Sequence, residues 1–124
     1  MNHGVGLVVW QKAKILANHV GTATDAMPKT EMYGLAALMR LAATSVVSNI
    51  AEGRGRLSRS ECQQFLEHSR GSLLDLETRL EIAVEIGCVS IEEFRKLEPE
   101  VSEVRRLLDG LLDSQDVWRT AVAS

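Results

Sequence analysis

Apolar residues recur every three or four positions along most of the chain, with polar residues between them. The clearest stretch begins after Ser58, and its regular positions are Cys62, Leu66, Ser69, Leu73, Leu76, Leu80 and Ala83. This alternating spacing puts one side chain per turn on a narrow helical face, as in a helical bundle. Ser58 and Glu61 form a capping box, and Gly87 suits a C-cap. The pattern predicts a helix over 59–86.

Three further segments repeat this periodicity and predict helices over 7–20, 31–52 and 91–112. The second is rich in alanine and serine, which predicts a central helix buried on several sides. Pro99 lies inside the last segment and removes a backbone donor. It predicts either a kink there or two shorter helices. Gly21 and Pro28 mark a loop between the first and second helices.

Three short connections, over 21–29, 53–57 and 87–89, join the four predicted helices. Short connections make consecutive helices antiparallel neighbours. The sequence therefore predicts an all-α fold, an up-down-up-down antiparallel four-helix bundle. It forms a single domain over 1–124, with a frayed tail over 114–124.

Charge is unevenly distributed, although the net charge of the 124 residues is only −3. Residues 1–56 carry six Lys/Arg against three Asp/Glu, and residues 57–124 carry eight against fourteen. A globally basic nucleic-acid binder is therefore excluded. A chain polarised in this way is suited to binding an anion at one end, or a second copy of itself.

Motifs for catalysis, cofactors, metals and membranes are missing from the sequence. There is no phosphate-binding loop of the Walker type, no Glu-x-x-His pair and no closely spaced cysteine pair. We expect no enzyme activity, no cofactor and no metal. The absence of a signal peptide or of a long apolar run predicts a cytoplasmic protein with reduced thiols and no membrane partner.

An arginine-rich turn between the second and third helices is the one unusual constellation. Arg54, Arg56 and Arg59 cluster there, after Asn49 and Glu52. One interpretation is a helix corner held by ion pairs, with Glu52 pairing with Arg56 or capping the next helix. The other is an anion site, because arginine forks and a helix N-terminus both bind phosphate. Asn49, on the apolar face, is a candidate for specifying register or subunit pairing.

Several motifs also resemble one known family. They are WQKA from Trp10, EMYGL from Glu31, SNIAEGRGR from Ser48, and GSL with DLET from Gly71. In this order and spacing, over about residues 7–113, they resemble the bacterial four-helix-bundle proteins of the rRNA intervening-sequence family. The accessory variability determinant of diversity-generating retroelements is a more distant relative.

The resemblance implies a bundle that assembles as a homopentamer, and RNA or DNA binding for some members. Retroelement relatives contact a reverse transcriptase. This sequence departs from the family pattern at Leu38, Leu41 and Val47, which replace a frequent Gln, Arg and Pro. Losing the arginine lowers the basic charge of the second helix.

Two functions follow from these observations. The first is an oligomeric nucleic-acid-binding accessory protein, with Arg40, Arg54, Arg56 and Arg59 as the contacts and Lys12, Lys14 and Lys29 as possible additions. The second is a structural assembly module without a nucleic-acid ligand, in which the basic half of one subunit meets the acidic half of the next. The candidate structural or assembly residues are Trp10, Asn49, Glu52 and Gly53.

Overall fold

The computed structural model describes residues 3–31 and 33–114. This part of the chain contains α1 (His3–Asp25), a 3-10 turn (Lys29–Glu31), α2 (Leu35–Arg54), α3 (Arg59–Glu85) and α4 (Ile91–Asp113), and it contains no strand. The all-α class is confirmed. Within the described ranges, no helix is both long and apolar enough to span a membrane. The predicted tail lies outside the described residues from position 115 onward.

The bounds and the buried face of α3 agree with the prediction. Its buried residues are the seven regular positions from Cys62 to Ala83. Ser58 Oγ accepts a hydrogen bond from the Glu61 amide at 3.3 Å. At the other end Gly87 has φ +81°, and the Cys88 amide donates to the Ala83 carbonyl at 2.8 Å. That bond, with the left-handed glycine, forms a Schellman motif.

The predicted end of α1 at Val20 is wrong, because the helix continues through Gly21 to Asp25. The apolar face continues too, since Ala23 and Met27 are both buried. Burying these side chains outweighs the cost of about 1 kcal/mol for glycine in a helix. The buried Thr24 hydroxyl donates to the Val20 carbonyl at 2.8 Å.

The other boundaries shift less. The segment predicted to begin a helix at Glu31 instead forms the 3-10 turn, and α2 begins at Leu35 and runs two residues beyond the predicted end. α4 is one continuous helix that includes Pro99, so the alternative of two short helices is wrong. Residues on both sides of Pro99 belong to one buried face, represented by Leu97 and Val101.

The helices pack as a ring, in which α1 contacts α2 and α4, and α3 contacts α2 and α4. Contacts run in opposite senses along α2 and α3: Ser45 Oγ meets Ser72 Oγ at 2.8 Å, and Ser69 Oγ donates to the Val46 carbonyl. Such opposite senses are what the predicted up-down-up-down order requires. Between α3 and α4, Glu77 accepts two hydrogen bonds from Arg105. These hydrogen bonds raise the pKa of the Arg105 guanidinium.

One face of α2 is exposed, contrary to the prediction that this helix is buried on several sides. Small alanines at 42 and 43 are buried, but the opposite face carries exposed Leu41, Thr44, Ser48 and Ala51. Leu41 is 65% exposed. Small residues therefore serve close packing on one side of α2 only, and the chain leaves the other side uncovered.

Candidate nucleic-acid interface

Two cations from different helices share one aromatic ring. Trp10 of α1 is half-buried and packs against the core. Lys14 Nζ lies 3.6 Å from its ring centroid, and Arg54 Cζ lies 5.9 Å from it. Both distances are within the range of cation–π attraction. The two charges are therefore held within about 10 Å of each other across the junction of α1 and α2.

Arg56 follows in the turn and has two partners. Its Nη2 donates to Glu52 Oε2 at 2.7 Å, one helical turn back, as one sequence interpretation expected. Its guanidinium also lies 4.8 Å from the centroid of the Phe65 ring. The Glu52 pair is largely exposed, so it is weak and leaves the guanidinium accessible to another anion.

Arg59 opens α3, directly after the Ser58 N-cap. Its side chain is half-buried and makes no ion pair in the parts of the chain that the structure describes. Lys14, Arg54, Arg56 and Arg59 are called the basic cluster below. Lys14 and Arg54 meet at Trp10, and Arg56 and Arg59 follow Arg54 in the turn between α2 and α3.

Arg40 is not part of this cluster. It lies fourteen positions before Arg54 on α2, which is about 21 Å along the helix axis. Its Nε donates to Thr24 Oγ1 at 2.7 Å, and its Nη2 pairs with Asp25. The structure thus brings three of the four predicted arginines to one turn and uses the fourth to join α2 to the end of α1.

The candidate structural residues around the turn have local roles. Asn49 is half-buried, and its Nδ2 donates to the Ser45 carbonyl and hydroxyl, at 2.8 Å and 3.1 Å. Gly53 is buried against α3, where a Cβ would lie 3.4 Å from the Cys62 carbonyl oxygen. Gly53 therefore lets the end of α2 approach the start of α3.

The sequence identified most of these residues but not their partners on other helices. Trp10 and Lys14 are four positions apart, which is helical contact spacing, so this pair could be read from the sequence. Contacts of Arg40 with Thr24 and of Arg54 with Trp10 depend on how α1 lies beside α2. No local pattern in the sequence signals them.

Two side-chain contacts elsewhere join α1 to α4. Lys12 Nζ lies 2.9 Å from Glu103 Oε1, and His19 Nδ1 lies 2.8 Å from Glu100 Oε2. Lys12 is thus already paired within the chain. No cluster of three or more His, Cys, Asp and Glu suited to holding a metal ion occurs in the described ranges.

The fold and the basic cluster define an all-α four-helix protein with a basic turn between its second and third helices. A family model described as 23S rRNA-intervening sequence protein matches residues 6–110. The chain belongs to that family, as the sequence motifs indicated.

A solved structure supports the fold. It is a protein of unknown function from the S23 ribosomal protein family of Bacteroides thetaiotaomicron VPI-5482, with a TM-score of 0.83 and 17% identity. The match covers 89% of this chain and 99% of that one. No curated protein matches the chain in sequence.

Proposed function

We propose that this protein is a non-enzymatic, oligomeric accessory protein that binds RNA or DNA through the basic cluster. One observation carries the proposal: Lys14, Arg54 and Arg59 make no ion pair within the described ranges, although Lys12 and Arg40 do. Arg54 and Arg59 at the α2–α3 turn, with Lys14 beside Arg54 on the Trp10 ring, are cations that attract phosphate. Assembly would repeat the basic cluster once per chain, so a locally basic surface is compatible with a net charge of −3 per chain.

A salt series tests the phosphate contacts. The probe is a fluorescein-labelled oligoadenylate RNA of about twelve nucleotides, titrated by anisotropy from about 50 mM to about 200 mM salt. Affinity should fall steeply with salt, because each phosphate contact releases counterions. The Arg54→Gln, Arg56→Gln double variant should bind at least tenfold more weakly and have a shallower salt slope.

A matched control removes the same charge elsewhere. Arg95 and Lys96 are exposed on α4 and outside the basic cluster. The Arg95→Gln, Lys96→Gln double variant should keep most of the affinity. Salt-independent binding would contradict the proposal. So would absence of binding at low salt by an intact oligomer.

The second candidate is an assembly module with no nucleic-acid ligand. The exposed face of α2 favours it, because residues 41–51 carry no charge and include the exposed Leu41. Under this alternative, changing Arg54 and Arg56 alters the particle mass rather than nucleic-acid retention. High salt also loosens the assembly if the basic and acidic halves of neighbouring subunits meet. Light scattering at low and high salt distinguishes the two functions.

A further inference from the structure

A groove between α1 and α2 begins beside the basic cluster. It has a volume of about 250 Å³ and is lined by Lys14, Ala17, Asn18, Thr44, Val47 and Ser48. Most of its exposed lining surface is apolar, although four of these six residues also carry a polar group. Ser48 lies six positions before Arg54 on α2, about 9 Å along the axis. Lys14 belongs to both places, so one bound strand can contact the groove and the cluster together.

The charges around this groove distinguish it from two others in the described part of the chain. The groove between α1 and α4 contains Glu100 and Glu103, which already pair with His19 and Lys12. The groove on the outer face of α3 contains Glu67 and Asp75. No carboxylate lines the α1–α2 groove, and its lysine has no ion-pair partner within the described residues.

The polar groups of the groove suit the edge of a nucleobase. The Asn18 side chain makes no hydrogen bond within the described residues, so its amide offers two donors and an acceptor. The Thr44 and Ser48 hydroxyls donate to carbonyls of their own helix, which leaves their oxygens free to accept. Ala17 of α1 and Val47 of α2 supply apolar surface that a base can contact.

We propose that the α1–α2 groove holds one unpaired base of a single-stranded nucleic acid, whose phosphate lies on Lys14 and Arg54. This inference rests on the proposed function and adds the site and the strandedness of the ligand. The groove admits a group of the size of one base, below the usual range for larger ligands. A duplex keeps its bases stacked and paired, so it cannot place one there.

Filling the groove tests the proposal. Ser48→Met puts a longer side chain at its edge, and Ala51→Met makes the matched change one turn later on the same exposed face, outside the groove. Both are made with Trp118→Phe, which leaves Trp10 as the only tryptophan. The probes are single-stranded oligoadenylate RNA, oligodeoxyadenylate DNA, and the RNA duplex with oligouridylate.

We expect either single strand to change the Trp10 emission saturably and to bind more tightly than the duplex. Comparing the affinities of the RNA and DNA single strands shows whether the protein prefers ribose or deoxyribose. Ser48→Met should weaken single-strand binding by at least about fivefold, and Ala51→Met by less than about twofold. Particle mass by light scattering should be the same for both variants and the parent.

Three results would overturn the inference. Equal affinity for the duplex and the single strands is the first. The second is single-strand binding by Ser48→Met that equals binding by the parent. In that case the proposed function survives if the Arg54→Gln, Arg56→Gln double variant still binds more weakly. A changed mass of Ser48→Met with intact binding is the third, and it makes the groove a subunit contact. No binding by the parent at low salt rejects both proposals.

Discussion

Arg40 and Arg54 lie on the same helix and face the same neighbour, yet their surroundings give them different roles. Arg40 meets a hydroxyl and a carboxylate at the end of α1, so its charge and its donors are satisfied. Arg54 meets only the face of Trp10, which attracts its charge and leaves its donors without an ion-pair partner in the described ranges. Arg40 therefore joins α1 to α2, whereas the guanidinium of Arg54 keeps donors with which a ligand could form hydrogen bonds.

Replacing Arg40 should affect stability rather than binding. Arg40→Gln removes the hydrogen bond to Thr24 and the exposed pair with Asp25, so the free energy of unfolding should fall by about 1 kcal/mol. Affinity for the oligoadenylate should stay within about twofold of the parent. Urea unfolding and anisotropy measure the two quantities. Binding weakened as much by Arg40→Gln as by Arg54→Gln would place Arg40 in the interface.

Cys62 should make stability depend on alkaline pH. Burial raises the pKa of the Cys62 thiol in the folded protein. Above the ordinary thiol pKa of about 8.5, the unfolded chain releases this proton and the folded chain keeps it. Stability therefore falls as pH rises from there towards the folded pKa. Urea midpoints at about pH 7 and pH 9.5 should differ less in Cys62→Ala than in the parent or in Cys88→Ala; equal losses in all three contradict this.

Helices α3 and α4 are joined by a turn whose backbone requires glycine. Gly87, in the left-handed region, lets the Schellman hydrogen bonds form and places Ser90 to cap α4, where its Oγ accepts from the Glu93 amide at 3.1 Å. Gly71 lies in the interior of α3, where an added Cβ would meet no other atom within 4 Å. The two glycines have opposite effects on stability.

Two alanine substitutions test this contrast. Gly87→Ala should lower the free energy of unfolding by about 1 kcal/mol, because a Cβ is disfavoured at positive φ. Gly71→Ala should raise it by about 0.5–1 kcal/mol, because alanine suits a helix interior better. Thermal and urea unfolding followed by circular dichroism measure both. A loss of stability in Gly71→Ala would mean that another chain packs against this position and leaves no space for a Cβ.

Regular periodicity made α3 and α4 predictable, since burial follows spacing when a helix has one apolar face. Extension of α1 past Gly21 was not predictable locally, because buried Ala23 and Met27 outweigh the glycine. The site was predictable in part. The cluster of Arg54, Arg56 and Arg59 is contiguous in sequence, whereas the partners of Arg40 and Arg54 come from another helix.

At the scale of the whole molecule, charges are satisfied unevenly. Ion pairs between α1 and α4 and between α3 and α4 use carboxylates of the acidic half within the chain. These contacts use four carboxylates of that half, Glu77, Glu100, Glu103 and Asp109. The uncharged face of α2, with the basic cluster at its end, is one of the surfaces that the described part of the chain leaves uncovered.

Assembly should depend on the Leu41 end of that face, which precedes the first groove residue, Thr44. The parent should be larger than its chain mass of 13.6 kDa in light scattering. Leu41→Glu should reduce the particle mass, because a carboxylate is costly to bury in an apolar contact. Leu74→Glu, at a similarly exposed leucine on α3, is the matched control and should leave the mass unchanged. A monomeric parent, or equal effects of the two variants, would exclude the Leu41 end of α2 as the subunit contact.

The short turn between α2 and α3 also has a consequence for the order of folding. Ser69 and the Val46 carbonyl are 23 positions apart, whereas His19 and Glu100, which join α1 to α4, are 81 apart. Closing the longer loop costs about 1 kcal/mol more in chain entropy. The α2–α3 hairpin should therefore form early and the α1–α4 seam last. In native-state hydrogen exchange, amides of α1 should open more readily than those of α2, so the wall of the α1–α2 groove that α1 supplies is also the first to loosen.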